Sequence, residues 1–158
     1  MSSKAVLLQE LSHAKISHMR WVKRADHLIS GLPVDKEFIP LEADSCVFGR
    51  KFLYGEIGDE LRAMDNFKYL LEQIEFHHDS LHKNYGEIYK IYFMVPEKRS
   101  LLYKLTHFNS KEVSKKEKEE AVKYFDLLEK TSDDLIMLLD KIEIKIRASD
   151  FDKPLKFS

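Results

Sequence analysis

Apolar residues recur along this chain at alternating steps of three and four, the spacing that lines one face of an α-helix. Over residues 4–30 the series is Leu7, Leu11, Ala14, His18, Trp21, Ala25 and Leu28. Gly31 and Pro33 follow, the usual order of helix-stopping residues. A second series runs Leu61, Met64, Phe67, Leu71, Ile74, His78, Leu81 or His82, Tyr85, Ile88 and Tyr92. It predicts one long helix from about Asp59 to Met94, interrupted at Pro96. A third runs Ala121, Phe125, Leu128, Ser132, Leu135, Leu139, Ile142 and Ile146 and predicts a helix from about Ser114 to Ile146. Ser114 and Glu117 stand at the spacing of a capping box.

Shorter helical pieces are predicted at 97–108, where Leu101, Leu102, Leu105 and Phe108 share a side, and within 46–55. Residues 31–44 lack any period and hold Pro33 and Pro40, so they read as a loop. Residues 148–158 read as a loose tail. The fold class expected is all-α: an antiparallel four-helix bundle with one or two short extra helices. One domain is expected over 1–158, with its core at about 5–147.

The composition agrees. Five Gly and four Pro in 158 residues are too few for the many tight turns of a β-sandwich. A net charge of -1 gives no basic excess for nucleic acid. The run Lys111–Glu120 is mixed in sign and reads as a solvated helix start. No stretch approaches the roughly 20 apolar residues that span a bilayer. A single cysteine cannot make an internal disulfide, and the N-terminal residues carry no signal-peptide pattern. Cytoplasmic location is the expectation.

Two of the seven histidines interrupt apolar seams on different helices, His18 and His78, and His82 stands one turn beyond His78. Residues four apart share a helix face, so His78 and His82 can grip one ion. His77 cannot replace His78, because a five-residue step turns the two side chains apart. A His-x-x-x-His spacing arises easily by composition, and a lone seam histidine is usually a hydrogen-bonded core residue. Two seams that bury histidine together are different, because without an ion or partners they bury several unsatisfied polar atoms. Cys46 adds the only thiol. Three His and one Cys make a closed tetrahedral set that suits Zn2+. His13, His27, His77 and His107 read as surface or supporting residues.

Other chemistry fits less well. A di-iron bundle needs Glu-x-x-His pairs facing inward, and Glu10–His13 and Glu75–His78 have that spacing. However, His13 falls off the seam and the last helix puts no Glu on its own. No His-Glu-x-x-His and no phosphate-binding glycine loop occurs. A Cys46–His nucleophile pair would need an open site. No catalytic residue is assigned, and the expectation is a protein that is not an enzyme.

The segments His18-Met-Arg-Trp21, Cys46-Val-Phe-Gly49-Arg50 and His78-Asp-Ser-Leu-His82 resemble, in order and approximate spacing, the motifs of the chemoreceptor zinc-binding (CZB) domain family. The resemblance covers roughly residues 5–147. One departure is Lys51, where the family usually has Trp, with Phe52 beside it. The resemblance implies a bacterial sensor bundle with one zinc on His18, Cys46, His78 and His82. It also implies a homodimer and regulation of a chemotaxis or cyclic-di-GMP partner in response to zinc or hypochlorous acid. That partner would be a separate signalling protein of chemoreceptor or diguanylate cyclase type. On the mechanism expected, oxidation of a zinc-bound thiolate or withdrawal of zinc releases residues 31–58 from the bundle. The alternatives are a metal-free helical adaptor and a metalloenzyme with an open coordination position.

Overall fold

The computed structural model describes residues 2–37, 39–94 and 113–149, and among them there is no strand. The predicted helix at 97–108, His107 and residues 150–158 of the tail lie outside the described residues. The protein is an all-α helical bundle. Helix α1 spans Lys4–Ile29, α2 spans Glu56–Arg62, α3 spans Asp65–Tyr89 and α4 spans Lys115–Ala148.

The first and last helices begin and end as their sequences dictate. Ser3 caps α1 by accepting from the Val6 amide. Beyond Ser30, Gly31 takes φ +80, a left-handed conformation that costs glycine little, and the Leu32 amide reaches back to the His27 carbonyl. Helix α4 opens with the full capping box of Ser114 and Glu117. Every residue of its predicted seam is buried, with Leu138 in addition.

The second helix differs from the expectation of one piece from Asp59 to Met94. Met64 is extended (φ -101, ψ 112) and breaks it into α2 and α3. Its carbonyl accepts from Phe67 and Lys68, the first bonds of α3. Asp65 follows at the positive N-terminal end of α3, and Arg62 precedes at the negative C-terminal end of α2. Arg62 also ties the corner, donating to the Leu53 carbonyl at 2.7 Å and to Glu75 at 3.0 Å. The apolar period survives such a corner because Leu61 and Phe67 stay buried on either side of it. Beyond Tyr89 the backbone loosens into a π-turn over Lys90–Met94.

Helix α4 runs antiparallel to both α1 and α3. Lys4 of α1 donates to the Arg147 carbonyl, and Lys15 bridges Asp140 and Glu143. Lys145 lies over the Phe67 ring, while Asn84 meets Thr131. Helices α1 and α3 therefore run the same way, with Ser2 at Glu60 and the Ile29 carbonyl at Tyr92. Parallel neighbours need a long return connection, and residues 30–55 supply it. That return carries Cys46 across the middle of the bundle. It includes a 3-10 turn at Ala43–Ser45 and a π-turn at Gly49–Leu53.

The core falls into two main apolar clusters. One holds Leu7, Leu11, Phe52, Leu71, Leu135 and their neighbours. The other holds Ala25, Leu28, Ile39, Tyr85, Ile88 and Leu128. Trp21 packs against both, and a polar layer lies beside it.

Candidate metal centre

The polar layer consists of His18, Cys46, His78 and His82. Their relative exposures are 0%, 1%, 0% and 2%. One ligand atom from each lies within 4.8 Å of every other. Among the described residues this is the one group of His, Cys, Asp and Glu close enough to hold an ion. Each residue arrives from a different requirement of the fold. His18 continues the α1 seam between Ala14 and Trp21. His78 and His82 are one turn apart on the buried face of α3. Cys46 is delivered by the return connection.

The hydrogen bonds orient the rings. His18 Nδ1–H donates to the Ala14 carbonyl at 2.6 Å, and His82 Nδ1–H donates to the Pro40 carbonyl at 2.8 Å. A carbonyl only accepts, so in both neutral rings Nε2 carries the free lone pair. Neither Nε2 has a partner, although both are buried. His78 Nε2 lies 3.2 Å from Cys46 Sγ, while its buried Nδ1 is unpartnered and 4.0 Å from the Asp79 carboxylate. The Gly49 amide donates to Cys46 Sγ at 3.1 Å.

Aromatic rings wall the layer. Trp21 meets His18 at 4.7 Å and His82 at 5.1 Å between centroids. Phe48 meets His78 edge-on at 5.3 Å and stacks on Phe52 at 5.1 Å. Gly49 lets the cysteine loop approach. A Cβ there would stand 2.0 Å from the Ala43 carbonyl oxygen and 3.2 Å from His78 Cε1.

Burial sets the electrostatics. Desolvation lowers His18 to about 4, against the Ala14 bond, and lowers His78 to about 2, helped by the neighbouring histidines. It also lowers His82, opposed by the Pro40 bond and by the negative charges of Asp79, Glu42 and Asp44. Burial pushes the Cys46 thiol up, against amide bonds from Gly49 and Phe48. Left to itself the layer holds neutral imidazoles with unused lone pairs. Buried polar atoms are almost always partnered, and the orphaned Nε2 atoms of His18 and His82, beside a sulfur and the His78 Nε2, are the exception a cation would remove.

The donor set fits zinc. Bonds of about 2.0–2.3 Å in a tetrahedron put donor atoms about 3.3–3.8 Å apart; the His78–Cys46 pair already lies at 3.2 Å, and all four donors lie within 4.8 Å of one another. Carbonyl bonds on the far nitrogens of His18 and His82 are the usual support for ligating imidazoles.

The other histidines lie elsewhere. His13 is exposed, and His77 contacts the Phe76 ring at 5.4 Å. The di-iron alternative finds no inward pair, since Glu10 meets Lys51 at 3.9 Å and Glu75 is bound by Arg62. Sequence reasoning missed the Pro40 carbonyl and the wall made by Phe48. Nothing in the sequence signals a loop carbonyl as a partner for His82. Phe48 had a signal: it lies between Cys46 and Gly49.

Compared with protein-family models, with curated proteins and with solved structures, the chain matches none. Among the described residues no helix is long and apolar enough to cross a membrane.

Proposed function

We propose that this chain is a zinc-binding regulatory domain whose closed three-His one-Cys site responds to oxidant or to zinc level. The observation that carries the reading is the buried layer itself: four donors from three elements, with unpartnered Nε2 atoms on His18 and His82 and the His78 Nε2 beside the sulfur. Its likeness in motif order to CZB domains supports a cytoplasmic sensor that signals to a separate chemotaxis or cyclic-di-GMP partner. Four protein donors leave no open position, which supports regulation over catalysis.

Each residue has a role in that reading. His18 and His82 offer Nε2, held in place by Ala14 and Pro40. His78 shares its face with His82. Cys46 supplies the thiolate, with the Gly49 amide placed to stabilise its charge. Bound zinc would keep that sulfur deprotonated, and a thiolate is the form an oxidant attacks. Hypochlorous acid would transfer oxygen to the thiolate, giving sulfenic acid and chloride in a two-electron oxidation. The sulfur then loses charge and donor strength, and the connection loses its tie to α1 and α3. A partner can read such a released segment.

Elemental analysis of the purified wild type and of His82→Ala tests the site. One zinc per wild-type chain and much less in the variant is expected. Iron in place of zinc, or equal zinc in both, overturns the assignment. A colorimetric zinc-release assay with hypochlorous acid then compares wild type with Cys46→Asp, whose carboxylate can ligate but cannot be oxidised. Release from the wild type alone is expected. Equal release from both removes the redox part and leaves zinc level as the signal.

A further inference from the structure

Two openings lead toward the buried layer, and they differ in size and charge. On the α1 side a cleft of about 30 Å³, lined by Glu10, His13 and Val47, reaches His18 and Cys46. It has room for about one or two water molecules. Its single carboxylate is offset by Lys51. On the α3 side a groove of about 820 Å³ runs between residues 41–44 and the outer face of α3, and His82 is part of its lining. Its walls carry five carboxylates (Glu42, Asp44, Glu75, Asp79 and Glu87) against two lysines, Lys83 and Lys90. Arg62 holds Glu75, Lys90 holds Glu87, and the Tyr54 hydroxyl donates to Asp79 at 2.7 Å. Glu42 and Asp44 are exposed, on the short stretch between the Pro40 carbonyl that orients His82 and Cys46 itself.

Acidic walls alone would be a solvated surface. Here they end on a side chain that is 2% exposed and whose Nε2 has no partner. His82 thus belongs to both the groove lining and the donor cluster. Gly86 is the other unusual feature. A glycine inside a helix is destabilising relative to alanine. Among the described residues, a Cβ at Gly86 would meet no heavy atom within 4 Å, so no packing demands the glycine. Its effect is to keep the groove open one turn beyond His82.

We infer that this groove is the path by which a hydrated divalent cation enters and leaves the site, gathered by Glu42, Asp44 and Asp79 and received by His82. The inference rests on the reading of the four-residue layer as a metal site. An acid-lined cleft concentrates cations and speeds their capture. Carboxylate oxygens suit the first encounter with a hydrated ion, while imidazole and thiolate hold zinc afterwards. The narrow cleft at Cys46 is too small for a hydrated ion and is left to small neutral molecules.

The test is stopped-flow measurement of zinc uptake by the metal-free chain and of zinc release to a chelator. Gly86→Phe should fill the groove, slowing both rates severalfold while leaving Kd unchanged, because an obstruction acts equally in both directions. The exposed pair Glu42→Gln/Asp44→Asn, which does not threaten folding, should slow uptake at low salt about tenfold and flatten its salt dependence. His13→Phe, which crowds the narrow cleft instead, should change neither rate. Wild-type rates in the groove variants, or slowing by His13→Phe alone, overturn the route and leave the zinc site standing. A wild-type chain that takes up no zinc overturns both.

Discussion

The connection between α1 and α3 has two halves, and they are held by different forces. From Phe48 to Arg62, the chain buries Phe48, Phe52, Leu53, Ile57 and Leu61 in the first apolar cluster, with Phe52 and Leu53 wholly inaccessible. From Gly31 to Val47 it buries Ile39 and Cys46, while Leu32, Leu41 and Val47 stay exposed. The earlier half sets Ile39 and Val34 against the second cluster, and its polar contacts converge on one place: the Pro40 carbonyl on His82, and Cys46 beside His78. Apolar burial does not depend on what fills the polar layer, whereas the Cys46 tie does. The expectation that residues 31–58 would be released together therefore narrows to 31–47.

The largest effect that can break this comparison comes from Phe52. Truncating a fully buried phenylalanine leaves a cavity and removes its transfer energy, about 3–5 kcal/mol. Phe52→Ala should cost that much in urea unfolding, by a similar amount with and without zinc. Leu32→Ala, in the other half and exposed, should stay within about 0.5 kcal/mol. Equal costs for the two, or a Phe52 cost that vanishes when zinc is removed, would mean that the halves are not held differently.

Acid should act on the polar layer. In the unfolded chain His18, His78 and His82 take up protons near 6.5, but folded they resist until about 4 for His18 and about 2 for His78. A depressed histidine adds no pH dependence above its unfolded value. Below it, the unfolded state binds protons that the folded state refuses, so stability falls with pH. Metal-free protein should be fully stable above about pH 6.5. His18 and His78 together should cost it roughly 2–3 kcal/mol between pH 7.5 and 5.5, and His82 adds in the same direction. The zinc-loaded chain should fall further over the same window, as protons also compete for the donors. Urea midpoints across the range check this. A flat metal-free profile would place the three rings in water.

How much was legible follows the same division. The seams of α1, α3 and α4 were readable because helical burial is periodic, and every predicted seam residue of α4 is buried. His18, His78 and His82 were readable because they break that period with a polar ring. The corner at Met64 was not, because Leu61, Met64 and Phe67 keep their spacing through a change of direction. Nor was the parallel course of α1 and α3, which depends on where the return connection crosses and not on any local pattern. Cys46 stood out as the only thiol, but its arrival beside His78 depends on Gly49, whose missing Cβ clears the Ala43 carbonyl by a margin no sequence period encodes.

The smallest effect is the sharpest test of the two halves. Removing zinc should leave the Ile39 contact and the Pro40–His82 bond in place, so the earlier half should loosen without unfolding. Losing one tie worth about 1.4 kcal/mol raises local opening about tenfold. Hydrogen exchange on chelated and zinc-loaded protein can read this amide by amide. The Ser45 amide, bonded to the Glu42 carbonyl, and the Gly49 amide, which crosses the boundary to bond Cys46 Sγ in the earlier half, should exchange faster after chelation. The Tyr54 amide on the Gly49 carbonyl and the Asp59 amide on the Gly55 carbonyl should not, because Phe52, Leu53 and Ile57 anchor that stretch. Helical circular dichroism should be unchanged, since three long seams keep the bundle folded. Acceleration spread evenly over 31–62 would show that the metal holds both halves. Acceleration within α1 as well would show that it holds the whole bundle. No change at Ser45 or Gly49 would mean that the earlier half is fixed by the chain alone, and the switch would then have to lie elsewhere.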